Sequence, residues 1–168
     1  NQTVSYKNNY DNSSNELISA IGTFFRNANQ NYTFEIYVND NLKLTQNGTS
    51  YYAGYHTIDL QKEIPLKNGD NFTVVMTTDS LPLLNQSRIK FQHGRSYVKY
   101  GDEWEDLSLK NATVSLKVYT KGFDLYTEDL VKIYKNDSKF EANIGVANET
   151  VTFKVNGGSI NDIIEYRV

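Results

Sequence analysis

The sequence predicts an all-β chain: an antiparallel β-sandwich of jelly-roll type, followed by a short partial second segment. Three observations carry that expectation. Apolar residues recur with a period of two rather than 3.6. Asn-Gly pairs, which tolerate positive φ and close tight hairpins, punctuate the runs at Asn47-Gly48, Asn68-Gly69 and Asn156-Gly157. Leu, Ile, Val and Phe make up 44 of 168 residues. That is above the roughly 20% level below which disorder is expected, so a packed core can form.

The elements follow in chain order. Leu17 to Arg26 is a first, weaker strand-like run. Tyr32 to Val38 is the clearest, because Phe34, Ile36 and Val38 alternate with Thr33, Glu35 and Tyr37. Asn39-Asp40-Asn41 reads as a short hairpin loop leading into Leu42 to Gln46. His56 to Leu60 is weaker. Asn71 to Thr77 places Phe72, Val74 and Met76 on one face. Arg88 to Gln92 and Ser96 to Tyr100 are further weak runs. Thr113 to Thr120 turns Val114, Leu116 and Val118 inward and Ser115, Lys117 and Tyr119 outward. The two prolines, Pro65 and Pro82, are read as lying in connections. Several short strands separated by turn signals indicate a sandwich. Thr127 to Asn136 breaks the pattern, with a capping Thr, early acids and late lysines. One or two helical turns are expected there. Strand-like runs resume at Lys139 to Val146 and Thr150 to Asn156. A boundary near Lys121-Gly122 divides the chain into domains 1–121 and 122–168.

Composition excludes several function classes. The net charge is −3 and no basic run occurs, so a phosphate-gripping nucleic-acid surface is not expected. No apolar stretch reaches the roughly 18–20 residues that span a bilayer. The chain opens on Asn1 and reads as a processed or excised piece. Cysteine is absent, which removes disulfides, thiolate nucleophiles and cysteine metal sites. Two histidines are present, His56 and His93, but no G-x-S-x-G, H-E-x-x-H, P-loop or G-x-G-x-x-G pattern accompanies them. No enzymatic role is therefore expected. Asp102, Glu103, Glu105 and Asp106 flank Trp104 and read as a solvated acidic loop. A hard cation such as calcium is the one cofactor such a loop could take, although EF-hand spacing is not met.

Asparagine is abundant, at 20 residues. Nine Asn-x-Ser/Thr acceptor patterns occur, including those at Asn31, Asn47, Asn71, Asn85, Asn111, Asn136 and Asn148. They point to an exported, glycosylated surface protein. Aromatic surface is the other feature. Of the 13 tyrosines, Tyr51, Tyr52 and Tyr55 cluster beside His56, and Tyr97, Tyr100 and Trp104 cluster beside Asp102. Flat rings stack on the apolar faces of sugar rings, and Asn, Asp and His bond the hydroxyls. The candidate ligand-binding residues are accordingly Tyr51, Tyr52, Tyr55, His56, Trp104 and Asp102. The competing reading is that tyrosine simply forms strands well and half-buries at sheet edges.

A family resemblance comes with particular stretches: Ala20-Ile21-Gly22-Thr23-Phe24-Phe25, Tyr32 to Val38, Tyr52-Ala53-Gly54-Tyr55-His56-Thr57-Ile58-Asp59-Leu60, Lys67 to Val75, and Leu116-Lys117-Val118-Tyr119-Thr120. Together they resemble the lectin-like β-sandwich domain of archaeal and bacterial surface proteins. That domain occurs in adhesin-like proteins and often follows a papain-like cysteine peptidase domain. The resemblance implies a lectin-like sandwich over roughly 100 residues, a cell-surface location, and a glycan or cell-envelope polymer as partner. It also implies an upstream peptidase domain as a second possible partner. Family members often carry a Cys where this chain has Ser115. From Asp129 onward the chain is similar to the opening of an Ig-like adhesin repeat, here partial, with further repeats implied downstream. The resulting expectation is a non-catalytic surface module. The rival readings are a peptidase accessory domain and a stalk spacer.

Overall fold

The computed structural model describes residues 3–85 and 90–122, and the backbone of five strands within 132–167. The chain divides into two units, Asn1–Gly122 and Phe123–Val168.

The first unit contains strands β1 (Val4–Asp11), β2 (Glu16–Phe25), β3 (Gln30–Val38), β4 (Asn41–Ser50), β5 (Gly54–Leu66), β6 (Asn71–Thr78), β7 (Leu83–Asn85), β8 (Ser96–Tyr100), β9 (Glu103–Asp106), β10 (Ala112–Val114) and β11 (Leu116–Gly122). One sheet has the order β4-β3-β6-β1-β8-β9, a second has the order β11-β2-β5, and β10 pairs with β7. Every pairing is antiparallel. The first unit is therefore an all-β antiparallel sandwich, as its alternation predicts.

The core lies between the six-stranded and three-stranded sheets. Of the positions that the period of two assigned inward, Phe34, Ile36, Val38, Phe72, Val74, Met76, Val114 and Leu116 are buried in it, and Val118 is partly buried against it. Tyr6 and Val98 join them from β1 and β8, and Ile18, Ile21, Ile64 and Leu66 from the opposing sheet. Polar atoms tie the two layers together. Thr23 is fully buried, and its hydroxyl donates to the Ser115 carbonyl at 2.8 Å. The Tyr6 hydroxyl lies 2.9 Å from Thr23 Oγ1 and donates to it, since the Thr23 proton is already committed. Asn8 Nδ2 and the Tyr10 hydroxyl both donate to the Leu116 carbonyl, at 2.9 and 2.6 Å.

Four local expectations of the first unit are corrected. Asn47-Gly48 is not a turn. It lies inside β4, opposite Thr33 and Tyr32, and the Tyr32 ring covers Gly48 so closely that a Cβ there would meet its hydroxyl at 2.4 Å. The β3–β4 turn falls at Asn39 and Asp40, with φ of 48° and 64°, the left-handed pair that a two-residue hairpin requires. Pro65 lies within β5 opposite Leu17 rather than in a connection. An edge strand accommodates it, because β5 has a partner on one side only. Thr113 to Thr120 is not one strand. Ser115 interrupts it, and the chain passes from the β7 partner to the β2 partner there. Lys90 to Gln92 is not strand, and residues 88–89 lie outside the described residues.

The second unit holds β12 (Lys132–Lys135), β13 (Ser138–Lys139), β14 (Asn143–Ala147), β15 (Thr150–Lys154) and β16 (Ile164–Arg167). They form a β13-β12-β16 sheet and a β14-β15 pair. The helix expected over Thr127 to Asn136 is not helical where described. Lys132–Lys135 is a strand paired on both sides, where Ile133 and Tyr134 suit extended backbone and cross-strand hydrogen bonds outweigh the end signals. Residues 127–131 and 136 lie outside the described residues, as does Asn156-Gly157.

Candidate functional site

Residues paired across neighbouring strands share a face, so register locates the aromatic side chains. Phe24 on β2 pairs with Tyr55 on β5, and Gly22 pairs with both Thr57 on β5 and Lys117 on β11. Ala20 pairs with Asp59 and Tyr119. These residues form the outward face of the three-stranded sheet, since Ile21, Thr23 and Phe25 between them are fully buried. Phe24, Tyr55 and Tyr119 are 45%, 42% and 39% exposed.

Gly22 organises this face. The Tyr55 ring lies directly over it, and a Cβ there would fall 2.0 Å from the Tyr55 hydroxyl. Lacking a side chain, Gly22 lets Tyr55 cross β2 and meet Tyr119, hydroxyl to hydroxyl, at 2.7 Å. The Lys117 ammonium stands 5.8 Å from the Tyr55 ring centroid. Partial desolvation against β2, with the Tyr119 hydrogen bond, pushes the Tyr55 phenol up to about 12.

Tyr51 and Tyr52 project from the connection between β4 and β5, at 69% and 75% exposure. The connection is pinned by its own polar groups. The Tyr52 carbonyl accepts from the Ser50 hydroxyl at 2.8 Å and from His56 Nε2–H at 2.9 Å. Gly54, at φ 118°, supplies the backbone conformation that returns the chain into β5. His56 does not share the outward face with Tyr55. It pairs with Thr23, and its ring sits 5.8 Å from that of the buried Phe25. Its part is to hold the loop that carries Tyr52.

Trp104 and Asp102 lie elsewhere. The loop holding Tyr51 follows β4, at one edge of the six-stranded sheet, whereas Trp104 is on β9 at the other. Those edges are five strand spacings apart, roughly 24 Å. The structure therefore separates the two aromatic groups. Asp102 is exposed in the β8–β9 turn beside Gly101, whose φ is 71°. Of the surrounding acids, Glu105 pairs with Lys110 at 2.7 Å. Asp106 is buried and accepts from the Gly94 and Ser108 amides at 2.7 and 2.9 Å, with His93 Nδ1 2.8 Å away. Burial opposes ionisation of Asp106, but those hydrogen bonds and His93 hold it below the usual carboxylate range. Among the described residues, no three His, Cys, Asp or Glu side chains gather to hold a metal ion. No helix among them is long and apolar enough to cross a membrane.

The sequence alone did not single out Phe24, Lys117 or Tyr119 as site residues. Alternation placed Lys117 and Tyr119 outward. For Phe24 the signal was the Phe24-Phe25 pair, which in a strand must point to opposite faces. The sequons also sort by place. Asn31, Asn47, Asn71, Asn85 and Asn111 are exposed, whereas Asn136 and Asn148 lie outside the described residues. Asn12 is buried, with Nδ2 donating to the Lys67 carbonyl at 2.7 Å.

Comparison with known proteins places this architecture. The family model for the lectin like domain matches residues 1–120, and the chain belongs to that family. A solved structure of the cysteine protease and lectin-like domains of Cwp84, a surface layer associated protein of Clostridium difficile, is similar at a TM-score of 0.58 and 18% identity, covering 72% of this chain and 32% of that one. A structure of the clostridial cysteine protease Cwp84 after propeptide cleavage is similar at a TM-score of 0.61 and 18% identity, covering 73% and 37%. The chain thus spans about a third of the length of those two chains, and at this identity the likeness is one of fold. No curated protein matches.

Proposed function

We propose that this lectin-like domain is a non-catalytic cell-surface module that binds glycan or cell-envelope polymer through the aromatic side chains around β5. The observation that carries this reading is the shared exposure of Phe24, Tyr51, Tyr52, Tyr55 and Tyr119 on and beside one sheet face, where Gly22 leaves room for the Tyr55 ring. A flat ring excludes water from the C–H face of a pyranose, while Thr57, Asp59 and Lys117 on the same face supply hydrogen bonds. Two or three stacked rings at about 0.5–1.5 kcal/mol each reach only about millimolar affinity. The module would therefore act by repetition and avidity. The exposed sequons support an exported location. Asn31 and Asn47 sit on the six-stranded sheet, so glycans there leave the aromatic face open. The second unit is read as belonging to an Ig-like repeat of an adhesin-type array.

The test is a pull-down of envelope polymers and a glycan array, with the 168-residue chain displayed multivalently. Binding that is lost when Tyr51, Tyr52 and Tyr55 are all changed to Ala, with circular dichroism unchanged, supports the reading. An absence of binding by the parent chain under multivalent display overturns it. A second reading follows from Cwp84, whose lectin-like domain accompanies a cysteine protease: an accessory domain that docks on an upstream papain-like peptidase by the same aromatic face. Protection of Tyr55 and Tyr119 by a peptidase domain, with no glycan bound, would favour it.

A further inference from the structure

The edge of the six-stranded sheet that carries Trp104 is built differently from the aromatic face. Lys99 on β8 pairs with Trp104 on β9 and with Ser5 on β1, and Lys7 on β1 pairs with Tyr97 on β8. These side chains therefore share the outward face of adjoining strands. The Lys7 ammonium lies 4.3 Å from the Trp104 ring centroid and 5.1 Å from that of Tyr97. The Lys99 ammonium lies 5.9 Å from Trp104. Two like charges thus converge on one indole.

No carboxylate among the described residues forms an ion pair with either ammonium. Three of the nearby acids are engaged elsewhere: Glu105 with Lys110, Asp106 with Gly94, Ser108 and His93, and Glu35 with the Tyr37 hydroxyl. Asp102 and Glu103 are exposed at the β8–β9 turn and the start of β9. Asp40 acts on Lys7 as a favourable charge only. Partial burial, reinforced by Lys99, holds the Lys7 ammonium below the ordinary lysine range. Aromatic rings position a cation without neutralising it, because a quadrupole carries no net charge. An ammonium held this way keeps its charge for a ligand and has already lost part of its rotamer freedom.

We infer that Lys7 and Lys99, positioned by Trp104 and Tyr97, form a second binding site for the anionic group of an acidic saccharide polymer, a carboxylate or a phosphodiester. This rests on the polymer-binding reading above and deepens it by naming the charge of the ligand. The anion sits between the two ammonium groups, and the ring edges contact the adjoining sugar.

Trp104 is the chain's single tryptophan, so its fluorescence reports this site and not the Tyr51–Tyr55 region. The 168-residue chain is titrated with an oligogalacturonate, a glycerol-phosphate oligomer and a neutral dextran of matched length. The expected result is a change in Trp104 emission with one or both anionic probes, weakened by added salt, and no change with dextran. The two anionic arms distinguish carboxylate from phosphodiester. Lys7→Gln or Lys99→Gln should each weaken binding about tenfold, and Lys99→Arg should retain it. Lys99 is on the surface, so its variants serve if Lys7→Gln fails to fold. Equal responses to dextran and the anionic probes, or unchanged binding by the Gln variants, would overturn the inference. Polymer capture that needs Tyr51, Tyr52 and Tyr55 while Trp104 stays silent overturns this site and leaves the module reading standing. Capture of no polymer overturns both.

Discussion

The hydroxyl of Tyr55 on β5 meets that of Tyr119 on β11 at 2.7 Å, and the Tyr55 ring gets there by lying across Gly22 on the strand between them. The outward face of the three-stranded sheet is thereby ordered by side chains rather than left as a loose set of tyrosines. Its shape depends on one missing Cβ.

Gly22→Ala tests that dependence. The new methyl would fall 2.0 Å from the Tyr55 hydroxyl, and the ring, being the free end of a flexible side chain, swings away. The fold should survive with a loss of about 1 kcal/mol or less. The Tyr55 phenol, held up at about 12, should return towards its ordinary value in a spectrophotometric titration. Multivalent polymer capture should weaken, because the Tyr55 ring leaves its seat beside Tyr119.

Thr23→Val removes one of the polar links between the sheets. Tyr6 loses its acceptor in buried surroundings, and the Ser115 carbonyl loses its donor in partly buried ones. An orphaned buried polar group costs about 1–3 kcal/mol, so urea denaturation should show a loss of that order. Tyr6→Phe combined with Thr23→Val should cost less than the sum of the single changes, because the second change removes a group already orphaned.

Alkaline pH should destabilise the sandwich. Burial pushes the phenols of Tyr6 and Tyr10 up to about 12 from the ordinary 10.0. The native state therefore keeps these protons after the unfolded chain has released them. Their contribution is full below about pH 10 and is lost as the pH climbs to about 12, at about 1.4 kcal/mol per pH unit for each group. Urea midpoints measured from pH 9 to 12 should fall over that window. Tyr6→Phe should start less stable but decline less steeply.

Much of the first unit was legible because alternation and burial are the same fact seen twice. A strand with Phe34, Ile36 and Val38 on one side can bury only that side. The errors arose where two local signals compete. Asn47-Gly48 carries a turn signature, but Gly48 is needed as a seat for the Tyr32 ring. Ser115 sits in unbroken alternation, yet the chain changes partner strand there, which only tertiary pairing decides. At the site, the Tyr51–Tyr55 cluster was legible as a local run. The contributions of Phe24 and Tyr119 were not, because both come from strands far away in sequence. The separation of Trp104 from Tyr51 is likewise a matter of strand order, β4 and β9 being opposite edges of one sheet, and no spacing along the chain encodes it. At Lys132–Lys135, the described part of the helix expected over Thr127 to Asn136, strand pairing prevails; the end signals were good but the residues few, and short helices depend on tertiary packing.

Chemical-shift mapping tests the binding face most directly. A short oligosaccharide from a captured envelope polymer is titrated into the isotope-labelled chain, and amide and aromatic ring resonances are followed. The expected result is a contiguous set of shifts at Phe24, Tyr51, Tyr52, Tyr55 and Tyr119, saturating in the millimolar range, on the order of the affinity that two or three stacked rings supply. Binding whose shifts leave those five side chains unmoved would contradict the proposal that this face is where the domain meets its ligand.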